Sequence, residues 1–536
     1  MDKVLILDFG SQTTQLIGRR VRELGVYAEI ISGETKLSAA LLQDVRGIIL
    51  SGSPFSVYDE GSPAPDSAIY EAGLPLLGIC YGLQRMTQDL GGKVEPHAER
   101  EYGGVRVTVE AGKAASGGKD AAFLAGFGLD GAGSNSRSSA SFNAWMSHGD
   151  SLTRLAPRFI QIGTSAHGFP AVLVHEEKPW FGLQFHPELS HCEGGMDILK
   201  GFVLGVCQAK REWSMEKYVE EVRGTLCEKV GKSKVLLLIS GGVDSTVAGA
   251  LLLKTLESDQ VHLMYMDTGL MRKDETKTVK TILEGLGARH LHIIHCEEEF
   301  LSALSGLSEP ETKRKAIGNL FISIQEREVA RLGLGEDYYL AQGTLYTDLI
   351  ESGKGVGKKA HVIKSHHNVR GPLVEAKREA GRIIEPLDRL YKDEVRALGR
   401  LLGVDEDVVR RHPFPGPGLA VRILGEVTRE KCDILRDADA IYIRELKARG
   451  LYDEIWQAFA VLLPLRSVGV AGDVRKYGWV LALRAIVSED GMSADVYAFP
   501  MKDLLEISTL ITNTVKDIGR VTYDISSKPP ATIEWE

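Results

Sequence analysis

Leu74-Pro75-Leu76-Leu77-Gly78-Ile79-Cys80-Tyr81-Gly82-Leu83 passes from an apolar, strand-like run into a helix-like one through a cysteine with a glycine two residues away on either side. That spacing predicts a tight strand-to-helix turn that presents a thiol, because bulkier residues at the glycine positions would strike neighbouring backbone. A helix N-terminus behind Cys80 favours the thiolate, the form that attacks a carbonyl. By itself the pentapeptide also suits a small buried cysteine. Phe185-His186-Pro187-Glu188 supplies the missing partners. His186 could take the thiol proton and return it to a leaving amine, while Glu188 orients the imidazole and stabilises its charged form. Ser51-Gly52-Ser53-Pro54 follows another apolar run, and the Gly52 and Tyr81 N–H groups are candidates to hold an oxyanion.

A second chemical element is Ser240-Gly241-Gly242-Val243-Asp244-Ser245, between the strand-like VLLLIS and the helix-like TVAGALLLKTL. Its small residues can bring several N–H groups to phosphate oxygens at a helix N-terminus. The GxxxxGK[ST] spacing of a Walker loop is absent.

The elements that must position these groups alternate. Residues up to about 205 interleave short apolar runs (VLILDF, GIILSG, PAVLVH, WFGLQFH) with helix-like stretches such as TQLIGRRVREL, an α/β pattern. Residues 111–141 are rich in Ala, Gly and Ser and read as an insertion or long surface loop without chemistry. A helix-like run from Trp213 opens a second α/β unit with further strand candidates VHLMYMDTG, HLHIIHC and YYLAQGT. Pro413-Phe414-Pro415-Gly416-Pro417-Gly418 cannot continue a helix, which places a boundary after His412. The expected domains are therefore 1–207, 213–412 and 413–536, the last a smaller α+β domain.

At 536 residues the chain exceeds a single core. A net charge of −9 argues against a surface built for nucleic acid or an anionic membrane. The six cysteines show no metal-ligand spacing or disulfide framework, and no apolar stretch is long enough for a signal core or a span. A cytoplasmic enzyme is expected.

The segments GICYG, SGSP and FHPE resemble those of class I glutamine amidotransferases over roughly the first 205 residues. The resemblance implies glutamine hydrolysis through a thioester on Cys80. SGGVDS resembles the pyrophosphate loop of the ATP pyrophosphatase superfamily, which implies a Rossmann-like domain that cuts ATP between its α and β phosphates. The further segments KRKAIG, AQGTLYTDLIES, IKSHHNV, HPFPGPGLAVR and KPPATIEWE, in one order along the chain, resemble those of the glutamine-hydrolysing GMP synthetases. For that family glutamine, XMP and ATP are the implied substrates, with Mg²⁺ as cofactor and a homodimer formed through the C-terminal domain. Residue by residue, the resemblance implies ATP contacts at Ser240, Gly241, Gly242, Val243, Asp244, Ser245, Lys364, His366 and His367. It implies XMP contacts at Arg314 and Lys528, with Ile533 and Glu534 suited to line the purine; by residue type, Asp244, Asp348 and Glu351 could hold Mg²⁺ or polarise the acceptor. The sequence departs from the family pattern at Arg370-Gly371-Pro372, after IKSHHNV. Two alternatives stay open: an amidating enzyme with another acceptor, such as an NAD synthetase, which PFPGPGL and KPPATIEWE argue against; and a nucleotide-binding module without turnover, which Cys80, His186, Glu188 and SGGVDS argue against.

Overall fold

The computed structural model describes the chain except residues 114–117, 130–137, 352–371, 472–473 and 489–492. Its described residues divide into two compact units, 1–218 with 347–351, and 219–346 with 372–536.

The first unit is built on nine strands: β1 Lys3–Asp8, β2 Tyr27–Ser32, β3 Val45–Leu50, β4 Leu76–Ile79, β5 Lys93–Glu110, β6 Ser139–Arg154, β7 Phe159–Ser165, β8 Pro170–His175 and β9 Trp180–Leu183. They form one sheet in the order β2-β1-β3-β4-β9-β8-β7-β5-β6. The half from β2 to β9 is parallel, and the rest is antiparallel. Parallel strands are covered on both faces, which is why β3, β4 and β9 are almost wholly apolar and buried. The Ala/Gly/Ser-rich stretch expected to be a loop instead contains a helix, Gly118–Ala125. Phe123, Leu124, Phe127 and Leu129 are buried, and the Phe123 ring packs at a tilt on Phe181 of β9, centroids 4.2 Å apart, so aromatic anchoring outweighs the loop-like composition.

In the second unit five strands, β10 Val235–Ile239, β11 Val261–Asp267, β12 His290–His295, β13 Tyr339–Ala341 and β14 Ile383–Ile384, make an all-parallel sheet in the order β12-β11-β10-β13-β14. A third sheet joins β15 Gln457–Ala471, β16 Val474–Val487, β17 Asp495–Val496 and β18 Ile518–Tyr523. The helices Arg429–Ala448 and Met501–Thr514 bury their apolar stripes against it. One apolar core runs from Leu236 and Met264 of the parallel sheet to Leu481 and Leu483 of β16.

The last residues are tied into this core by charge. Arg484 of β16 is fully buried, donates to the carbonyls of Ser526, Thr532 and Ile533, and pairs with Asp524 at 3.2 Å. Removing one member of a buried ion pair leaves the other uncompensated, so Arg484→Met is expected to destabilise the unit by about 3 kcal/mol. A lower denaturation midpoint in guanidinium chloride and faster proteolysis after residue 524 are the measurements that check it.

Candidate active sites

At the C-terminal end of β4 the backbone of Cys80 takes φ 51°, ψ −108°, a strained combination for a residue with a side chain. The Cys80 N–H donates to Leu183 O at 2.7 Å, and its carbonyl accepts from Gln84 N in the helix Tyr81–Asp89. The glycines are needed for the reason the spacing suggests. A Cβ on Gly78 would lie 2.6 Å from Leu83 N, and one on Gly82 would lie 2.3 Å from Leu50 O.

β9 pairs in parallel with β4, so its C-terminal end delivers His186 and Glu188 to the same edge of the sheet as Cys80. His186 Nδ1 lies 2.7 Å from Glu188 Oε1, with His186 5% and Glu188 0% exposed. Burial pulls the imidazole toward neutrality, but the Glu188 carboxylate and the neighbouring Cys80 sulfur outweigh it and hold His186 well above its ordinary value. With Nδ1–H committed to Glu188, the other ring nitrogen is left to exchange a proton with the thiol. Two groups that sequence reasoning missed flank the sulfur: the Ser147 carbonyl and the Gln184 carboxamide nitrogen, each 3.8 Å from Sγ. Gln184 stands two residues before His186, so its position in the motif run was a usable signal; Ser147 contributes only backbone and left none.

Gly52 abuts this site, since a Cβ there would lie 3.2 Å from His186 Cε1 and from Ser11 Oγ. Its carbonyl accepts from Ser51 Oγ at 2.9 Å, which in turn accepts from Phe9 N. Among the described residues neither the Gly52 N–H nor the Tyr81 N–H donates to a protein acceptor. The whole arrangement suits nucleophilic attack by sulfur on an amide carbonyl.

The second site lies where β10 enters the helix Val243–Thr255. Ser240 and Ser245 close the loop, their hydroxyls 3.1 Å apart, and Ser245 Oγ also accepts from Ser240 N. Gly241 has φ +79° and Gly242 is the N-cap, which leaves the first N–H groups of the helix without intrahelical acceptors. Asp244 is held by Lys392, whose Nζ bonds both carboxylate oxygens at 2.6 Å. Lys392 opens the helix Lys392–Leu401, where a cation opposes the helix dipole unless an anion is at hand. Sequence reasoning missed it, because a lysine in a charged run carries no signal. Arg411 donates to Gly241 O at 3.0 Å and pairs with Glu275, bracing the loop from behind.

Of the residues assigned to XMP, Arg314 donates to the backbone oxygen of Glu536. Glu534 forms a two-pronged pair with Arg422 at 2.8 and 3.1 Å and accepts from Gln457 at 2.8 Å. Ile533 packs with Phe459 and Val461. The tail thus brings Arg314, Ile533 and Glu534 into one neighbourhood. Lys528 is fixed separately by a bridge to Ala494. Lys364, His366, His367 and Arg370 lie outside the described residues, as does the side chain of Glu351; Asp348 lies on the helix Tyr346–Glu351. Among the described residues no group of three or more His, Cys, Asp or Glu side chains could hold a metal. No helix among them is long and apolar enough to cross a membrane.

Three family models match the chain in order: "Glutamine amidotransferase class-I" over residues 5–206, "NAD synthase" over 214–332 and "GMP synthase C terminal domain" over 444–535. Fold and matches together define the class, an amidotransferase joined in one chain to an ATP pyrophosphatase-type domain. A protein of Bartonella henselae named GMP synthase (glutamine-hydrolyzing) is 48% identical over 535 residues, covering 100% of this chain and 99% of that one. Proteins of the same name from Aquifex aeolicus and Brucella suis are 46% and 47% identical, with 99% and 100% of this chain and 99% of each relative covered. The chain belongs to the family of glutamine-hydrolyzing GMP synthases.

Two outcomes follow from the thiol site. Gly82→Ala, which pushes a methyl against Leu50 O, is expected to cost about 1–3 kcal/mol and displace the Cys80 turn, read as lost stability together with lost Cys80 alkylation by iodoacetamide. Because His186 is raised above its unfolded value, its stabilisation is complete below about pH 6.5 and is lost as pH rises through the folded value. Glu188→Gln removes the main upward cause, so the stability gap to wild type in urea is expected to be widest near pH 6 and to narrow toward alkaline pH.

Proposed function

We propose that the chain makes GMP from XMP, using ammonia that it releases from glutamine at Cys80 and ATP bound at the Ser240–Ser245 loop. What carries the reading is the buried His186–Glu188 pair beside a strained Cys80, on the same chain as that loop.

In the first reaction the Cys80 thiolate forms a C–S bond to the glutamine carboxamide carbon while the Gly52 and Tyr81 N–H groups hold the oxyanion. His186 hands its proton to the departing nitrogen, ammonia leaves, and a thioester remains. His186 then draws a proton from water, whose attack breaks the C–S bond and releases glutamate. Glu188 keeps the ring oriented and stabilises its charged form throughout.

In the second reaction the xanthine 2-oxygen of XMP attacks the α-phosphorus of ATP and pyrophosphate leaves. Ammonia then attacks C2, and AMP departs. The N–H groups of the Ser240–Ser245 loop receive the leaving phosphates, with Lys364, His366 and His367 assigned to neutralise their charge. Arg314, Lys528, Ile533 and Glu534 hold XMP, Glu534 being locked by Arg422 and Gln457. Mg²⁺, when bound with ATP, neutralises phosphate charge. It is commonly held by one or two carboxylates together with the phosphates, so the lack of an all-protein cage does not count against it. Asp244 would hold it by exchanging Lys392, which bonds both its oxygens, for the metal; Asp348 and Glu351 are proposed as further carboxylates for it. We assign the domains to 1–207, 213–412 and 413–536, the last forming a homodimer, and place the enzyme in the cytoplasm.

The NAD synthase match over residues 214–332 favours a second reading, the same two chemistries with another acceptor. One assay separates them: XMP-dependent GMP formation with Mg-ATP and either glutamine or ammonium, in wild type and Cys80→Ala. Wild type is expected to use both donors and the variant ammonium only, with glutamine-dependent turnover down about 10²-fold or more. Pyrophosphate release with a different acceptor and no GMP from either donor would overturn the choice of XMP.

A further inference from the structure

The Ser240–Ser245 loop has a buried carboxylate against its back. Glu275 is 4% exposed and opens the helix Glu275–Gly285, where the helix dipole favours an anion. It lies hard against the loop, since a Cβ on Gly241 would stand 2.8 Å from Glu275 Oε1. A negative charge in that place opposes the binding of any phosphate on the loop, the more so because water is excluded there. Arg411 is bonded to both parties. Its Nη2 pairs with Glu275, and its Nη1 donates to Gly241 O at 3.0 Å.

The bond to Gly241 O also sets the direction of a peptide. The Gly241–Gly242 bond is trans, so its C=O and N–H point to opposite sides. With the carbonyl held on Arg411, the Gly242 N–H faces Ser240 Oγ at 3.3 Å, on the side where the Ser240 and Ser245 hydroxyls meet. A peptide with glycine on either side of it turns over at little cost. Without the guanidinium nothing else printed in the loop's bonding holds that carbonyl back, and turned over it would present oxygen where a phosphate needs an N–H.

Arg411 is itself fixed from the third sheet. The next residue, His412, donates its N–H to the Tyr452 hydroxyl at 3.0 Å and lies flat on that ring, centroids 3.8 Å apart. His412 Nδ1 accepts from Ala458 N of β15 at 3.2 Å, so the proton is on Nε2, which donates to Tyr452 O at 2.9 Å. Burial pushes this imidazole down to about 4, and the pattern therefore holds at neutral pH.

We propose that Arg411 is a positioning residue for ATP: anchored on the third sheet through His412, it keeps the Gly241 carbonyl turned away from the phosphates and screens them from Glu275. The proposal rests on the reading of the Ser240–Ser245 loop as the ATP site.

The test uses the full chain with ammonium as nitrogen donor, so that Cys80 does not enter, and reads KM for ATP, KM for XMP and inhibition by pyrophosphate. For Arg411→Met we expect KM for ATP to rise about tenfold or more, pyrophosphate inhibition to weaken in parallel, and KM for XMP to change less than about twofold. Adding Glu275→Gln removes the unscreened charge, and KM for ATP is then expected to recover by about threefold. A purely structural role for Arg411 predicts no such recovery. No rise in KM for ATP, or a rise that Glu275→Gln leaves untouched, overturns the proposal. If Arg411→Met fails to fold, Arg411→Lys decides, because an ammonium keeps the charge beside Glu275 but lacks the second prong for Gly241 O. A smaller rise in KM for ATP supports the proposal, and an unchanged KM overturns it. Failure of the wild-type chain to release pyrophosphate from ATP would instead count against the reading of the loop itself.

Discussion

The backbone at Cys80 is held at a positive φ that a side-chain-bearing residue avoids, at a cost of about 1–3 kcal/mol. It persists because its surroundings leave no room to relax. The N–H is tied to β9, the carbonyl to the helix behind, and the absent Cβ atoms of Gly78 and Gly82 are what let Leu50, Leu83 and the turn share the space. From this constraint the rest of the thiol site follows. The turn lifts the sulfur off the end of β4, and parallel pairing of β4 with β9 makes His186 and Glu188 arrive at the same edge. Antiparallel pairing would have put them at the opposite end.

The second site uses the same architecture with different groups. It too lies at the C-terminal edge of a parallel sheet, but here a closed loop at a helix start replaces the strained nucleophile. Two helix N-termini, those beginning at Val243 and Lys392, bring their dipoles and a lysine to one place. That concentration of positive potential is tolerated because Asp244 answers it.

Much of this was legible in the sequence because it is local. Cys80 with its glycines, His186 with Glu188, and the six residues of the Ser240–Ser245 loop are each local in sequence, and the flanking apolar runs are the observed strands β1, β3, β4, β8, β9, β10, β11 and β12. What sequence could not give depends on distant segments. Glu101 meets His148 across 47 residues, Asp244 meets Lys392 across 148, and Glu534 meets Arg422 across 112. No spacing rule encodes such pairs, and each partner alone looks like an ordinary charged residue. The Gly118–Ala125 helix escaped for another reason: small residues gave a loop-like composition, while the four apolar anchors that decide the fold were too few to set a period.

Those distant pairs share a logic that ties the tail to the core. Lys313 and Arg422 are fully buried, and each finds its carboxylate on the last three residues, Glu536 and Glu534 respectively. Lys313 Nζ also donates to the carbonyls of Ala420, Ile423 and Gly425, so the tail, the helix Pro310–Leu332 and the segment after PFPGPGL meet at one ammonium. A buried cation without its partner costs several kcal/mol, far more than the loose end of a chain gains in entropy by detaching. The tail is therefore held by the same charges that stabilise the core beneath it. Ile533 and Glu534 are placed by that core.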